Sequence, residues 1–273
     1  MSDWQLAFIG AGNMASAIIG GLVKQGFDPA RIIASDPNAE SLARLARATG
    51  VTTAIDNAVA LEEADVVVLA VKPQVMKPVL TNASELMNKK KPLLISIAAG
   101  IRSNSLTRWA GALPVVRCMP NTPALVGLGM TVLSANAAVT PEQRQRAESI
   151  LAAVGQTRWT DDETLLDAVT AVSGSGPAYF FLVMEAMQAA AESLGLSPEA
   201  ARQLVVQTAR GAAELAAHSD ESTAQLRINV TSPGGTTERA LAVLESAGLR
   251  EHFQAALTAA CDRSRELADQ LGQ

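Results

Sequence analysis

The stretch Gln5-Leu6-Ala7-Phe8-Ile9-Gly10-Ala11-Gly12-Asn13-Met14-Ala15 decides the fold of the first half of this 273-residue chain. A short apolar strand runs into a G-x-G-x-x-A sequence, and an amphipathic helix follows to about Gln25. Gly10 permits a tight turn, Gly12 lets the backbone approach a pyrophosphate, and Ala15 lets the helix lie close to the strand. This context predicts a dinucleotide-binding α/β domain of the Rossmann type.

Asp36 follows the second predicted strand, Arg31–Ser35, in the place where an acidic residue binds the adenosine ribose of NAD. A carboxylate there would repel the 2′-phosphate of NADP. Nearby polar side chains would still accommodate NADP, so the choice between the cofactors stays open: Ser35, Asn38 and Arg44. The alternative role for Asp36 is the N-cap of a helix over residues 39–48.

Further strands are predicted at Asp65–Val71, Pro92–Ile97 and Pro114–Met119, and the continuous apolar runs are typical of parallel strands covered on both faces. Ligands bind at the carboxyl ends of such strands. Lys72 stands at such an end, either as a cofactor or substrate contact or as a surface lysine. Asn57, which opens the helix after the third strand, is either a helix cap or an adenosine-side ligand.

Two other features at this edge suit a cofactor. The small side chains of Ala98 and Ala99 leave room for a flat ring. The prolines of Pro120-Asn121-Thr122-Pro123 stiffen a loop that either places the nicotinamide or serves only as a turn. Two strands, at residues 130–134 and 156–159, extend the sheet beyond the basic Rossmann set.

From about Thr164 onward the pattern is helical only, and the predicted helix Pro177–Leu194 is apolar over most of its circumference. Such a helix must be buried, so we expect a homodimer that packs these helices against their equivalents. Two loops, Ser173–Pro177 and Ser232–Thr237, are expected to present hydroxyls and free N–H groups at helix starts. A substrate carboxylate would bind between them. For Ser232–Thr237 alone, an ordinary N-cap is the alternative.

Composition excludes several classes of function. The net charge of −5 argues against a nucleic-acid partner. Residues 1–4 lead straight into a strand without a leader pattern, and no apolar run approaches a membrane span, so we expect a soluble cytoplasmic protein without a membrane partner. Cys118 and Cys261 are read as reduced thiols, and His218 and His252 stand near no partner for a triad or metal site.

Taken together, the motifs resemble the pyrroline-5-carboxylate reductase family over essentially the whole chain. The resemblance rests on Gly10–Met14, Ala70–Pro73, Met119–Pro123, Ser173–Tyr179 and above all Ser232–Thr237 with its flanks. It implies an α/β Rossmann-type domain, with a mostly parallel sheet and helices on both faces, followed by an all-helical dimerisation and substrate domain. We place these domains at residues 1–162 and 163–273.

The implied reaction is hydride transfer from NAD(P)H to the C=N carbon of pyrroline-5-carboxylate, which gives L-proline in the last step of proline biosynthesis. Family dimers interleave their helices and commonly assemble into a decamer. The resemblance implies cofactor contacts for Gly10, Ala11, Gly12, Asn13, Met14, Ala15, Asp36, Asn57, Ala70, Val71, Lys72, Pro73 and Ala98, with Asn229 reaching the cofactor from the other subunit. It implies substrate contacts for Ser232, Gly234, Gly235, Thr236 and Thr237, to which we add Ser175 and, as a loose match, Glu163.

The implied reduction of an imine needs no strong general acid, nucleophile or metal from the protein. A cyclic imine enters largely protonated, so hydride attack needs no strong general acid, and a hydroxyl such as that of Thr237 would steady the nitrogen proton. No metal is required.

A β-hydroxyacid dehydrogenase, the nearest alternative, depends on a lysine in its second domain, whereas Lys91 is the last lysine of this chain. A non-catalytic dinucleotide-sensing module is the other alternative. Many family members carry a neutral residue in place of Asp36, which leaves the NADPH preference open.

Overall fold

The structure is a computed structural model that describes residues 4–273. The expectation that the chain begins without a leader concerns residues 1–3 in part, and these lie outside the described residues. The described chain divides into two compact units. The sheet unit comprises the chain up to Ser175 together with Ala259–Gln273, and the helical unit comprises Gly176–Thr258. The predicted boundary between residues 162 and 163 stays a prediction.

The sheet unit is built on one eight-stranded sheet in the order β3-β2-β1-β4-β5-β6-β7-β8. All neighbouring strands are parallel except β6 and β7. The strand order reverses between β1 and β4, which is where doubly wound sheets bind ligands. The strands are β1 Leu6–Ile9, β2 Ile32–Ser35, β3 Thr52–Ala54, β4 Val66–Leu69, β5 Leu93–Ser96, β6 Val115–Met119, β7 Gly129–Ala135 and β8 Gly155–Trp159.

Helices cover both faces of this sheet, and each face has its own core. Leu6 and Phe8 of β1 face one core with Ile18, whereas Ala7 and Ile9 face the other. Because both faces are covered, β1 and β4 are buried along their whole length, as their unbroken apolar sequences predict. The helices that begin and end in this unit are α1 Asn13–Lys24, α2 Ala39–Thr49, α3 Asn57–Leu61, α4 Pro73–Lys90, α5 Ser103–Ala110, α6 Pro141–Ala152 and α7 Leu165–Val169.

The helical unit contains α8 Gly176–Ser193, α9 Pro198–His218, α10 Thr223–Asn229, α11 Thr236–Ser246 and the first part of α12 Leu249–Leu271. Ser197 caps α9 with Pro198 in the first turn, as predicted. Among its described residues only Ala201 and Val205 are buried apolar side chains. The fold is thus the predicted Rossmann-type unit followed by helices.

The segment around Ser173–Pro177 differs from the prediction. Instead of forming a loop before the predicted helix, it continues a helix from Leu165 through a π-helical turn, Thr170–Gly174. In this turn the Ser175 N–H donates to the Thr170 carbonyl at 2.8 Å. The expectation of free N–H groups in this loop is therefore wrong at Ser175. The longer i→i+5 bond accommodates Pro177, which has no N–H of its own and would crowd a regular α-helical turn.

This continuity also changes the expectation about membrane spans. Leu165–Ser193 is one helical stretch of 29 residues that is long and apolar enough to cross a membrane, by length and composition only. The expectation that no run approaches a span is wrong on that criterion, because the π-helical turn joins two predicted helices. The same test is passed by the core helix of a soluble protein and by a signal sequence, so a single such helix is weak evidence for a membrane span.

Candidate active site

The Gly10–Ala15 loop forms an open cradle at the carboxyl edge of the sheet. Gly10 has a φ of +104°, and a Cβ there would lie 2.7 Å from the carbonyl oxygen of Ala70, so this turn requires glycine. Gly12 precedes α1 without a side-chain cap, and a Cβ on it would meet nothing within 4 Å. The first turn of α1 therefore offers its backbone N–H groups to open space, which fits the pyrophosphate of a dinucleotide.

Asp36 is bound to this cradle. Its Oδ2 accepts a hydrogen bond from the Ala11 N–H at 2.8 Å, and its Oδ1 accepts one from the Asn38 N–H at 2.8 Å. The N-cap of α2 is Asn38, whose Oδ1 accepts from the N–H groups of Glu40 and Ser41. The N-cap interpretation of Asp36 is therefore wrong, since Asn38 stands immediately before the helix and Asp36 lies too far back to reach it.

Ser35 and Asn57 form a hydrogen-bonded pair beside the end of β2. The hydroxyl of Ser35, which is fully buried, donates to Asn57 Oδ1 at 2.7 Å. The cap of α3 is Asp56, which accepts from the Ala58 N–H at 2.9 Å, so Asn57 is not the cap. Among residues 4–273 the amide NH2 of Asn57 has no protein partner. Ser35 thus orients an amide whose donors remain for a ligand.

A groove of about 310 Å³ opens between α3 and α4, next to this amide. Its walls combine apolar side chains with a few polar ones, as a flat heterocycle with polar edges requires. The lining residues are Asp56, Asn57, Ala58, Val75, Pro78, Val79, Asn82, Ala83 and Leu86. The groove lies in the place expected for the adenosine half of the cofactor.

The ends of β4 and β5 contribute backbone and small side chains to the same edge. Lys72 precedes α4 with an extended backbone and no side-chain cap, and Pro73 occupies the first turn. The side chain of Lys72 is exposed, a position compatible with both interpretations of this residue. Ala98 is buried just beyond β5, where a larger side chain would fill the edge.

The loop after β6 is joined to the π-helical turn by the side chain of Asn121. Its Nδ2 donates to the Ser173 carbonyl at 3.1 Å, and its Oδ1 accepts from the Met130 N–H at 2.9 Å. Met119 packs against Gly174, because a Cβ on this glycine would collide with the end of the methionine side chain. The predicted cofactor loop and the turn that carries Ser175 are therefore held together. Sequence analysis missed this role of Asn121, although Pro177 signals that the Ser173 carbonyl lacks its helical donor.

Glu163 forms an ion pair with a buried arginine. Its Oε1 accepts from Arg117 Nη1 at 3.1 Å and from the Ser103 N–H at 2.7 Å. Arg117, on β6, is 4% exposed, so it depends on this carboxylate for a counter-charge. Arg117 was not singled out from the sequence. The substrate contact of Glu163 stays a prediction, since the described geometry shows one of its oxygens engaged in structural bonds.

In the helical unit, the loop Ser232–Gly235 ends at α11. Gly234 has a φ of +70°, Gly235 is the N-cap, and no side chain caps the helix. The interpretation as an ordinary Ser/Thr cap is therefore wrong. The expectation of free N–H groups in this loop is wrong at two glycines. Glu238 Oε2 accepts from the Gly234 N–H at 2.7 Å, and the Ser232 carbonyl accepts from the Gly235 N–H at 3.0 Å. The hydroxyls of Thr236 and Thr237 make no hydrogen bond with another described residue.

Asn229, at the end of α10, belongs to a polar chain within the helical unit. Its Oδ1 accepts from Gln225 Nε2 at 2.8 Å, and its Nδ2 donates to Glu221 Oε2 at 2.7 Å. This chain fixes the orientation of the amide. A cofactor contact of Asn229 from another subunit stays a prediction.

Metal and thiol chemistry find little support in the described part of the chain. No cluster of three or more histidine, cysteine or acidic residues suited to a metal occurs among residues 4–273. Cys118 and Cys261 are free, as predicted. Burial raises the pKa of the Cys118 thiol far above its ordinary value, so it is no nucleophile at neutral pH.

Comparison with known proteins gives matches to both parts of the chain. Residues 163–267 match a family model described as pyrroline-5-carboxylate reductase dimerisation, and residues 5–100 match one described as NADP oxidoreductase, coenzyme F420-dependent. The pyrroline-5-carboxylate reductase of Pseudomonas aeruginosa is 53% identical over 100% of both chains. That of Haemophilus influenzae is 46% identical and covers 96% of this chain and 97% of its own.

Solved structures agree with these matches. A pyrroline-5-carboxylate reductase from Coxiella burnetii is similar with a TM-score of 0.93 at 46% identity, covering 98% of this chain and 99% of its own. The Plasmodium falciparum pyrroline carboxylate reductase, solved with NADP bound, is similar with a TM-score of 0.87 at 31% identity, with the same coverage. Both likenesses span the sheet and the helices.

Proposed function

The chain belongs to the pyrroline-5-carboxylate reductase family, and we propose that the sheet unit holds the cofactor and that the loop before α11 in the helical unit binds the substrate of that reductase. The enzyme reduces the C=N bond of L-1-pyrroline-5-carboxylate to L-proline, the last step of proline biosynthesis, with a hydride from NAD(P)H. The observation that carries this conclusion is the match over the whole chain, because it includes both the cofactor cradle and the Ser232–Thr237 loop.

The reaction needs little acid–base chemistry from the protein. The cofactor supplies a hydride to the imine carbon, and the iminium nitrogen, already protonated, becomes the neutral secondary amine of proline. What remains for the chain is to hold the imine carbon about 3–3.5 Å from the nicotinamide and to exclude water. None of these tasks requires a metal, a thiolate or a histidine.

The cofactor is proposed to lie along the carboxyl edge of the sheet. Its pyrophosphate would bind the N–H groups of the cradle at the start of α1, and Asp36 and Asn57 would hold the adenosine half. Support comes from the open space above Gly12 and from the groove beside Asn57. Lys72 and Ala98 would line the nicotinamide half, with Asn229 contributed by a second subunit.

The substrate is proposed to bind at the start of α11. Its carboxylate would take the backbone N–H groups of Thr236 and Thr237, the hydroxyl of Ser232 and, by displacing Glu238, the N–H of Gly234. Thr237 would hydrogen-bond the ring nitrogen. The unused hydroxyls of Thr236 and Thr237 support this assignment. Ser175 and Glu163, in the sheet unit, are proposed as further substrate-binding residues. The helix that binds the carboxylate supplies partial positive charge as well as donors.

Assembly follows from the exposed apolar faces of the helical unit. Residues 163–267 match a dimerisation family, and we propose a homodimer with interleaved helices, assembled further into a decamer. The helix Leu165–Ser193 would then be covered by a second copy instead of lipid. We propose domains at residues 1–162 and 163–273, a cytoplasmic location, and no nucleic-acid or membrane partner.

A cofactor-oxidation assay tests the proposal. Purified protein is mixed with pyrroline-5-carboxylate and either NADPH or NADH, and the absorbance of the reduced cofactor is followed. We expect turnover that depends on the imine, with proline as the product. If neither cofactor is oxidised while both still bind, the reductase assignment is overturned in favour of a dinucleotide-binding module.

A further inference from the structure

We propose that Asn121 is a positioning residue for hydride transfer, because its side chain fixes the cofactor loop to the turn that carries Ser175. The inference rests on the reductase function proposed above. Its basis is a set of contacts that lie entirely within the sheet unit, between the end of β6, the start of β7 and the π-helical turn.

The first step is the carbonyl that Asn121 binds. In a regular helix the Ser173 carbonyl would accept from the N–H of residue 177, but this residue is proline and has no N–H. Asn121 Nδ2 supplies the missing donor at 3.1 Å. A carbonyl without a partner there would lower the free energy of unfolding. The hydrogen bond from Asn121 therefore stabilises the contact between the loop and the helix.

The second step is the other end of the amide. Asn121 Oδ1 accepts from the Met130 N–H at 2.9 Å, where β7 begins. One end of the side chain meets a carbonyl and the other an N–H, so the orientation of the amide is fixed without ambiguity. The backbone of Asn121 also accepts from the Ala124 N–H at 3.1 Å, which closes the loop on itself.

The third step is the place of this junction. It lies beyond the carboxyl end of β6, the edge at which doubly wound sheets bind ligands. Met119 packs on Gly174 next to it, and a π-helical turn interrupts the helix at the same point. Such turns occur frequently at functional sites. Asn121 therefore sets the distance between a loop expected beside the nicotinamide and Ser175, expected beside the substrate.

The chain offers a matched control at the other end of the same strand pair. Asn136, after β7, donates through Nδ2 to the Leu113 carbonyl at 3.0 Å and accepts from the Val115 N–H at 3.1 Å. Both asparagines are partly buried, and each joins β6 to β7. Asn136 lies at the amino edge of the parallel strands, far from the expected ligands.

The experiment compares Asn121→Asp with Asn136→Asp, each of which removes one donor and keeps one acceptor. We measure kcat per bound cofactor, the dissociation constant of the cofactor and the thermal midpoint. Asn121→Asp should lower kcat per bound cofactor about tenfold to a hundredfold, the loss expected from misplacement on the order of 1 Å, with cofactor affinity changed less than about threefold. Both variants should lower the thermal midpoint to a similar extent, because each loses the one hydrogen bond that its amide Nδ2 donates. In Asn136→Asp, however, kcat per bound cofactor should stay unchanged.

Equal kcat values for both variants and the wild type would overturn the inference, since a structural role alone alters only the folded fraction. If Asn121→Asp does not fold, Gly174→Ala disturbs the same junction from the side of Met119 and should lower kcat per bound cofactor about threefold to tenfold. An unchanged kcat there would also reject the role. A wild type without turnover would reject the reductase assignment, and the inference with it, whereas an active wild type with active variants rejects the inference alone.

Discussion

In the sheet unit, β1 and β4 are buried along their whole length, whereas in the helical unit Phe180, Phe181 and Leu182 of α8 are more than 60% exposed. The first unit covers both faces of its sheet with its own helices and needs nothing else to form a core. The second has almost no buried apolar side chain among its described residues. The sheet unit therefore forms its core within one chain, and the exposed apolar face of α8 supports the proposal that a second copy covers the helical unit.

The polar groups of the two units differ in the same way. In the sheet unit, Asp36, Asn57 and Asn121 are held by bonds to neighbouring backbone or side chains before any ligand arrives. In the helical unit, the Thr236 and Thr237 hydroxyls are unused among described residues. Glu238 occupies the Gly234 N–H in Ser232–Thr237, the proposed substrate loop. The side chains proposed to bind the cofactor are therefore held in place by the protein itself, whereas the proposed substrate loop has hydroxyls that no described residue uses.

The largest expected effect is on assembly. Phe181→Glu places a charge on the exposed apolar face of α8, where we expect a second copy to bury the phenylalanine. Because the loss is repeated in both copies of a symmetric dimer, we expect the dissociation constant of the dimer to rise at least about a thousandfold, with turnover lost. Light scattering coupled to size exclusion measures the first effect, and the cofactor assay measures the second.

Cofactor binding by the sheet unit should survive this substitution within about tenfold, as calorimetry would show. Phe181→Leu, which keeps an apolar side chain at the position, should retain both the oligomer and most of the activity. A Phe181→Glu protein that remains dimeric and active would show that α8 does not face a second copy, and the contrast between the two units would need another explanation.

The next effect concerns the helical unit alone. Thr237→Ala should lower kcat about tenfold to a thousandfold, the range expected for the loss of one positioned donor. The affinity for the cofactor, bound by the sheet unit, should not change. Steady-state kinetics with saturating cofactor measures the loss. Thr237→Ser should recover most of the activity, and Thr258→Ala, which removes a hydroxyl bonded only to the Gln254 carbonyl, should have no effect on kcat.

A smaller effect isolates the sheet unit. Asp36→Ser removes a carboxylate that would repel the 2′-phosphate of NADPH, so the ratio of kcat/KM for NADPH to that for NADH should rise about tenfold to a hundredfold. The kcat with saturating imine should stay within about threefold, because the substrate loop is untouched. If the ratio of kcat/KM for NADPH to that for NADH did not change, Asp36 would serve only to accept the hydrogen bond from the Ala11 N–H.

Sequence patterns predicted the strands and the cofactor cradle because these depend on local rules. A run such as Val66–Leu69 admits few structures other than a buried strand, and the spacing of Gly10, Gly12 and Ala15 has a single geometric purpose. The carboxyl-edge positions of Asp36 and Lys72 follow from the same pattern. Strand ends differ from prediction by one or two residues, as at Ala70 and Val71, which already belong to the turn.

Side-chain partners across long sequence distances could not be predicted in this way. Asn121 meets Ser173, and Arg117 meets Glu163, only because the sheet and α7 bring them together. The cap alternatives for Asp36 and Asn57 miss the observed caps, Asn38 and Asp56, by one or two residues, since Asp and Asn near a helix start are equally good candidates until the backbone is known. The π-helical turn was read as a break because Pro177 normally begins a helix.

The smallest expected effect concerns the Glu238 carboxylate, which occupies the Gly234 N–H in the proposed substrate loop. Glu238 Oε2 lies 2.7 Å from the Gly234 nitrogen, one of the donors assigned to the substrate carboxylate. Its charge should oppose the arrival of a second carboxylate, so Glu238→Gln, which keeps an acceptor for the Gly234 N–H, should lower KM for pyrroline-5-carboxylate about threefold to tenfold at low ionic strength. The difference from wild type should shrink as salt is added, which initial-rate measurements at several salt concentrations would reveal.

Glu238 could also have the opposite effect on substrate binding, by ordering the loop, and a comparison of two variants distinguishes the two roles. If the carboxylate mainly orders the loop, Glu238→Ala should raise KM and Glu238→Gln should leave it unchanged, because only alanine loses the hydrogen bond. If the charge competes with the substrate, both variants should lower KM. Glu85→Gln makes the same change of net charge on exposed α4, where the described structure gives Glu85 no hydrogen bond or ion pair, and its KM should match wild type. A shift there would assign the effect to the overall charge of the protein instead of the substrate loop.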